Sequence, residues 1–107
     1  MAYSVHFAFP SKKEIRKLDQ GAQKTILSAC QSLGKDPHPP GHTTVKTQKG
    51  LWRIRVRGKY RVIYAVYDRL EAVIIVTVRL KGKGAYNEIP VTDLSAKVAE
   101  LEKVLEG

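Results

Sequence analysis

Three consecutive β-strand signals fill the sequence between Leu51 and Leu80, and no all-helical architecture can accommodate them. From Leu51 the apolar residues recur with a period of two: Ile54 and Val56 face one way, and Arg53, Arg55 and Arg57 face the other. Gly58-Lys59 forms a short turn, and Tyr60 to Tyr67 returns as a β-rich strand, so the pair is a predicted hairpin. Asp68-Arg69-Leu70 makes a second turn. Residues 71–80 form a third strand, apolar on both faces in its middle and therefore expected inside the sheet.

Helical signals flank this meander. Tyr3, Val5, Phe7 and Phe9 alternate with smaller or polar residues and predict a half-buried first strand ended by Pro10. Ser11 with Glu14 three residues later has the form of a capping box at the start of a helix. Ile15, Leu18, Ala22, Ile26, Ala29 and Leu33 then make one apolar stripe at helical spacing. Gly21 interrupts it, and Asp19-Gln20-Gly21 reads as the corner of a helical hairpin, with one straight helix as the alternative. Gly34 is placed to stop the second helix, and the prolines of Asp36-Pro37-His38-Pro39-Pro40-Gly41 require a loop. After the basic turn Lys81-Gly82-Lys83-Gly84, a last helix starts near Thr92 or Asp93. Its Val91, Leu94, Val98, Leu101 and Leu105 form a narrow seam that either packs on its own domain or docks a partner helix. The expected architecture is α+β, one domain over residues 1–107: a strand, a helical hairpin, an antiparallel β-meander and a C-terminal helix.

The longest aliphatic run, Ala72 to Val76, is far below the roughly 20 residues of a membrane span. The first ten residues lack the pattern of a secretory signal, and Cys30 has no second cysteine to pair with, so a reducing cytoplasmic setting is expected. Charge narrows the function further. The net charge is +9, from 19 Lys and Arg against 10 Asp and Glu. Between Lys46 and Lys83 lie eleven cations and only two acids, Asp68 and Glu71, so this stretch accounts for the whole excess. It points to a polyanionic partner, nucleic acid or an acidic protein segment. A membrane surface fits less well, because these cations lie among strand formers and not on an amphipathic helix.

Metal chemistry has little basis here. His6, His38 and His42 offer no zinc spacing with the lone cysteine, and no cofactor is called for. No glycine-rich phosphate loop precedes a helix. The informative feature is the alternation Arg53, Arg55, Arg57: three guanidinium groups about 6.5 to 7 Å apart along one strand face. Either that face is simply solvated or it meets anions; the second reading is favoured because no acid accompanies the stripe and Arg61 follows just after the turn. Such a face could cleave RNA without metal. Fixed guanidinium groups would stabilise the phosphorane, while proton transfer would fall to a lysine, an arginine or Tyr86.

These elements, with Gly58-Lys59-Tyr60-Arg61-Val62-Ile63-Tyr64, the proline loop, Leu51-Trp52-Arg53-Ile54-Arg55-Val56 and a basic turn ending in Tyr86, resemble the RelE/ParE superfamily of bacterial and archaeal toxins. The resemblance spans nearly the whole chain and is closer to the RelE-type mRNA interferases. It implies a RelE-like fold, a cognate antitoxin, and cleavage of messenger RNA in the ribosomal A site, surrounded by ribosomal RNA. By position it assigns Arg53 and Arg55 to the scissile phosphate and to assisting proton transfer. Arg61 falls at the phosphate-stabilising arginine and Tyr86 at the base-stacking tyrosine, with a strand-end aromatic capping the core as the alternative for Tyr86. Lys81 stands nearest the family's general acid, with Arg79 and Lys83 as competitors in a turn one residue shorter than the best-known type. Lys46, Lys49, Arg57, Arg79 and Lys83 would follow the RNA backbone. The alternative within the superfamily is a ParE-like inhibitor of DNA gyrase, acting by protein binding without catalysis.

Overall fold

The computed structural model describes residues 2–38, 43–44, 50–82 and 91–106. Strand β1 (Ser4–Phe7) is followed by helices α1 (Phe9–Arg16) and α2 (Gln20–Lys35), then by strands β2 (Thr43–Thr44), β3 (Trp52–Val56), β4 (Tyr60–Tyr67) and β5 (Ala72–Leu80), and finally by helix α3 (Val91–Glu106). The sheet order is β1-β5-β4-β3-β2, with β1 parallel to β5 and the other described pairs antiparallel. The expected α+β meander is present, and β5 lies inside the sheet with Ala72 through Val78 all buried.

Two cores hold the layers together. On one face the α2 stripe of Ala22, Ile26, Cys30 and Leu33 packs on Val56, Tyr60, Val62, Tyr64, Val73, Ile75 and Val78. On the other, Leu94 of α3 with half-buried Val98 and Leu101 covers Leu51, Ile63, Ala65, Ile74 and Val76. The C-terminal seam therefore packs on its own domain. Burial pushes the Cys30 thiol up to about 12, which makes it a core group with little thiolate character.

Asp19 settles the helical corner: its carboxylate accepts the Ala22 N–H at 2.8 Å and caps α2, so the hairpin is real and the straight helix is excluded. Four local expectations need correction. Pro10 does not end the strand but sits in the first turn of α1, where its missing N–H costs nothing. Ser11 is buried and donates to the Ala8 carbonyl at 2.7 Å, and Glu14 reaches the sheet instead of folding back to form a capping box. Phe9, at 61% exposure, belongs to α1 and not to the apolar face of the strand. Gly34 lies inside α2 and is needed for close approach: a Cβ there would stand 2.7 Å from the Tyr3 carbonyl oxygen, whose own N–H bonds the Gly34 carbonyl at 2.7 Å.

Candidate nucleic-acid interface

Strand register decides which cations share a surface, because residues directly opposite in adjacent strands project to the same side. Arg55 of β3 is opposite Arg61 of β4, and Arg61 is opposite Arg79 of β5. Three arginines therefore form a row across three strands. One step back along the ladder, Arg53 is opposite Ile63 and Ile63 is opposite Thr77, on the same face. Ile63 belongs to the core under α3, so the helix covers that face up to the boundary at which the arginine row begins.

The row is graded in exposure. Arg55 is exposed, Arg53 and Arg79 are half-buried, and Arg61 is only 6% exposed. The Arg61 Nη1 donates to the carbonyl of Tyr60 at 3.2 Å and to that of Gly58 at 3.5 Å, which folds its guanidinium against the adjacent turn. Neither Arg55 nor Arg61 forms an ion pair with a described carboxylate. The described ion pairs, Arg69 with Glu102 at 3.3 Å and Lys97 with Glu100 at 3.4 Å, instead involve α3.

At the end of the row, Lys59 N–H donates to Val56 at 3.2 Å, closing a turn whose central residues, Arg57 and Gly58, have φ of 55° and 65°. Glycine accepts that conformation freely, whereas for arginine it costs roughly 1–2 kcal/mol. Arg57 thereby leaves the strand and stands exposed at the hairpin tip, a correction to the expectation that it continues the stripe. The Lys81 N–H donates to the Lys59 carbonyl at 2.7 Å, so exposed Lys81 lies beside this tip, just beyond Arg79. Lys59 adds a further cation, its Nζ 5.5 Å from the Tyr60 ring centroid. Lys46, Lys49, Lys83 and Tyr86 lie outside the described residues, as do Pro39 to His42.

Among the described residues, an acid from a distant part of the sequence approaches the row. Glu14 of α1 accepts the Thr77 hydroxyl, with its two oxygens at 2.8 and 2.7 Å, and the Val78 N–H at 2.9 Å. Thr77 in turn accepts from Arg79 Nε at 3.4 Å. The sequence pattern marks neither Glu14 nor Thr77 as part of the site. The signal that could have found Glu14 is helical phase: it lies between buried Ser11 and Ile15, on the inward side of α1.

Elsewhere, the proline loop is anchored where described. Tyr64 OH donates to the Pro37 carbonyl at 2.8 Å, and His38 stands edge-on to Trp52 with ring centroids 5.1 Å apart. Burial, reinforced by nearby Asp36, pushes the Tyr64 phenol up to about 12. Among the described residues, no group of three or more His, Cys, Asp or Glu is gathered as for a metal ion, and no helix is long and apolar enough to cross a membrane. What the described surface offers chemically is concentrated, fixed positive charge suited to an anion with charge on several oxygens.

Residues 6–83 match the protein family described as the ParE toxin of type II toxin-antitoxin system, parDE. Comparison with curated protein sequences finds no match. Among solved structures, the RelBE2 toxin-antitoxin complex of Mycobacterium tuberculosis is similar at 21% identity and a TM-score of 0.67, with 76% of this chain and 93% of that chain covered. A free-state mutant of Escherichia coli toxin RelE is similar at 23% identity and 0.66, covering 90% and 98%. An archaeal RelE-RelB complex from Pyrococcus horikoshii is similar at 24% identity and 0.63, covering 78% and 99%. These likenesses establish a RelE-like fold.

Proposed function

The chain belongs to the ParE toxin family of type II toxin–antitoxin systems, within the RelE/ParE superfamily, and from that premise we propose that it is a ribosome-dependent endoribonuclease that halts translation by cleaving mRNA without metal or other cofactor. The observation that carries this reading is the row Arg55, Arg61, Arg79, in which the central, buried guanidinium has no described carboxylate partner. Like charges placed directly opposite destabilise a sheet, so such a row is costly unless an anion meets it.

The reaction assigns different tasks to different members. Attack by a ribose 2′-hydroxyl builds negative charge on the phosphorane oxygens, and Arg61, with Arg79 and Arg55 on either side, is positioned to stabilise it. Arg53 and Arg55 hold the scissile phosphate and assist proton transfer. Lys81 beside the hairpin tip is the leading donor to the 5′-oxygen, with Arg79 and Lys83 competing for that role. Tyr86 stacks on a base, while Lys46, Lys49, Arg57 and Lys83 follow the backbone. The ribosome supplies the substrate alignment that fixed cations alone do not provide. Action on translating ribosomes places the protein in the cytoplasm. Two of the similar structures are toxin-antitoxin complexes, and by analogy an acidic, amphipathic antitoxin would cover the cationic face and fold as it binds.

The decisive assay adds purified protein to programmed ribosomes and maps mRNA ends. Cleavage at A-site codons that disappears in Arg61→Glu with the fold intact supports the nuclease reading. A second reading, gyrase inhibition by protein binding, is favoured by the match to the ParE family itself. Intact mRNA together with gyrase-dependent DNA breaks would select it.

A further inference from the structure

The arginine row explains where charge is placed but not how Arg79, a long side chain at the end of β5, is held in orientation. The bonds around Thr77 supply an answer. Its side chain is fully buried, and its hydroxyl donates to the Glu14 carboxylate. What the oxygen then presents outward is lone-pair density, and Arg79 Nε lies 3.4 Å away as the donor that meets it. Donation therefore runs in one direction, from Arg79 to Thr77 to Glu14.

Glu14 is also fixed from a second side. β1 pairs with β5 only along Ala72 to Ile75, and beyond that point the Glu14 carboxylate takes the Val78 N–H at 2.9 Å. An edge cap would need no more than that bond. The additional engagement of both oxygens with Thr77, 63 residues away, and of Thr77 with the guanidinium, links the first helix to the cation row. Nε is the guanidinium nitrogen nearest the backbone, so tethering it limits rotation of the plane that carries the two terminal nitrogens. Such preorganisation lowers the ordering cost of meeting a phosphate.

We propose that Glu14 is a positioning residue for the anion-binding face, acting through Thr77 to orient Arg79. The inference rests on the phosphate-binding reading given above and deepens it. It is tested in the full-length protein with Thr77→Val, which keeps the β-branched shape and removes the hydroxyl, and with Thr77→Ser, which restores the hydroxyl. Two readouts are followed: water exchange of the Arg79 Nε–H by NMR, and affinity for a short single-stranded 2′-O-methyl RNA that cannot be cleaved.

The valine variant should exchange the Arg79 Nε–H faster than wild type and bind the RNA roughly three- to tenfold more weakly, the range expected for loss of one ordered side chain. The serine variant should recover both. If valine disturbs the backbone amide spectrum, Thr77→Ala, which also removes the hydroxyl and leaves Glu14 free to accept the Val78 N–H, replaces it with the same expectation. Wild-type exchange and affinity in Thr77→Val would overturn the proposal while leaving phosphate binding intact. Unchanged affinity in Arg79→Gln would instead remove Arg79 from the phosphate-binding face, and the positioning role with it.

Discussion

Replacing Arg61 by methionine should raise the stability of the fold and lower its affinity for RNA in one step. Arg61 stands between Arg55 and Arg79 in the cross-strand row. Side chains in such positions leave the backbone about 4.5–5.5 Å apart at Cβ, and guanidinium groups splaying away from one another would reach roughly 7 Å. At that separation each pair repels by about 0.6 kcal/mol in bulk water and about 2.4 kcal/mol at the effective dielectric of a protein surface. Two neighbours and partial burial place the relief on removing the central charge at about 2 kcal/mol. Against it stands the loss of the Nη1 bonds to Tyr60 and Gly58, worth about 1 kcal/mol, while methionine keeps most of the apolar stem.

The net gain is about 1 kcal/mol, which for a chain of this size raises Tm by roughly 4 °C. Because the gain is electrostatic, it should fade as salt is raised, the Debye length shrinking from about 10 Å at 0.1 M to about 3 Å at 1 M. Thermal melts of both proteins across that range are the assay. They are paired with RNA titrations, in which the log–log salt slope should become shallower by about 0.7 for each phosphate that the variant no longer neutralises. A variant several degrees less stable at low salt would mean that Arg61 is compensated inside the protein. A gain indifferent to salt would mean that it does not come from charge repulsion, and under either result the case for an anion-demanding row would fail.

Other positions test the frame around that row. Gly34→Ala should destabilise by roughly 1–3 kcal/mol, since the new Cβ would meet the Tyr3 backbone oxygen at 2.7 Å; denaturant unfolding of the two proteins gives the comparison. Glu71 holds φ of 47° at the β4–β5 connection, so Glu71→Gly should stabilise by about 0.5–1 kcal/mol, and a loss of stability in melts would show that its side chain compensates for the left-handed backbone. Burial and then Lys97 depress the His6 pKa below 6.5, opposed by Glu100. The unfolded chain therefore binds the proton more readily, so His6 lowers stability as pH falls from about 6.5 through its folded-state value and contributes nothing above that range. His6→Gln should flatten that part of a stability-versus-pH curve, and NMR titration of the ring gives the pKa directly.

Much of this molecule is legible in local pattern, and what is not depends on where side chains reach. The Ile54 and Val56 alternation, the length of β4 and the doubly apolar middle of β5 define the meander because each is a property of a few consecutive residues. The stripe from Ile15 to Leu33 similarly announces the helical hairpin of α1 and α2. Glu14 misleads because Ser-x-x-Glu has a local partner available, and nothing within four residues reveals that its carboxylate lies against Thr77 instead. Gly34 misleads for a related reason: a glycine near a helix end suggests a stop, whereas here it admits the backbone of Tyr3 from the opposite end of the fold. In the site, the proximity of Arg53, Arg55 and Arg61 follows from the hairpin, but the place of Arg79 does not.

That last placement depends on an irregularity in β5. Strict alternation along the strand would put Val73, Ile75, Thr77 and Arg79 on one face, and since Val73 and Ile75 pack into the core beneath α2, Arg79 would project away from Arg61. The pairing with β4 breaks step instead between Ile63 and Tyr64: Tyr64 is opposite Ile75, but Ile63 is opposite Thr77, leaving Val76 as an extra residue. Past this bulge the phase inverts. Val78 joins Val73 and Ile75 in the core, while Thr77 and Arg79 turn to the face of Ile63 and Arg61. One inserted residue thus puts Arg79 into the row and Thr77 within reach of Glu14, and it does so where the α3-covered core gives way to the cations. A bulge of this kind leaves no mark in a uniformly apolar strand, so the register of the sheet, more than the composition of the strand, determines where the positive charge converges.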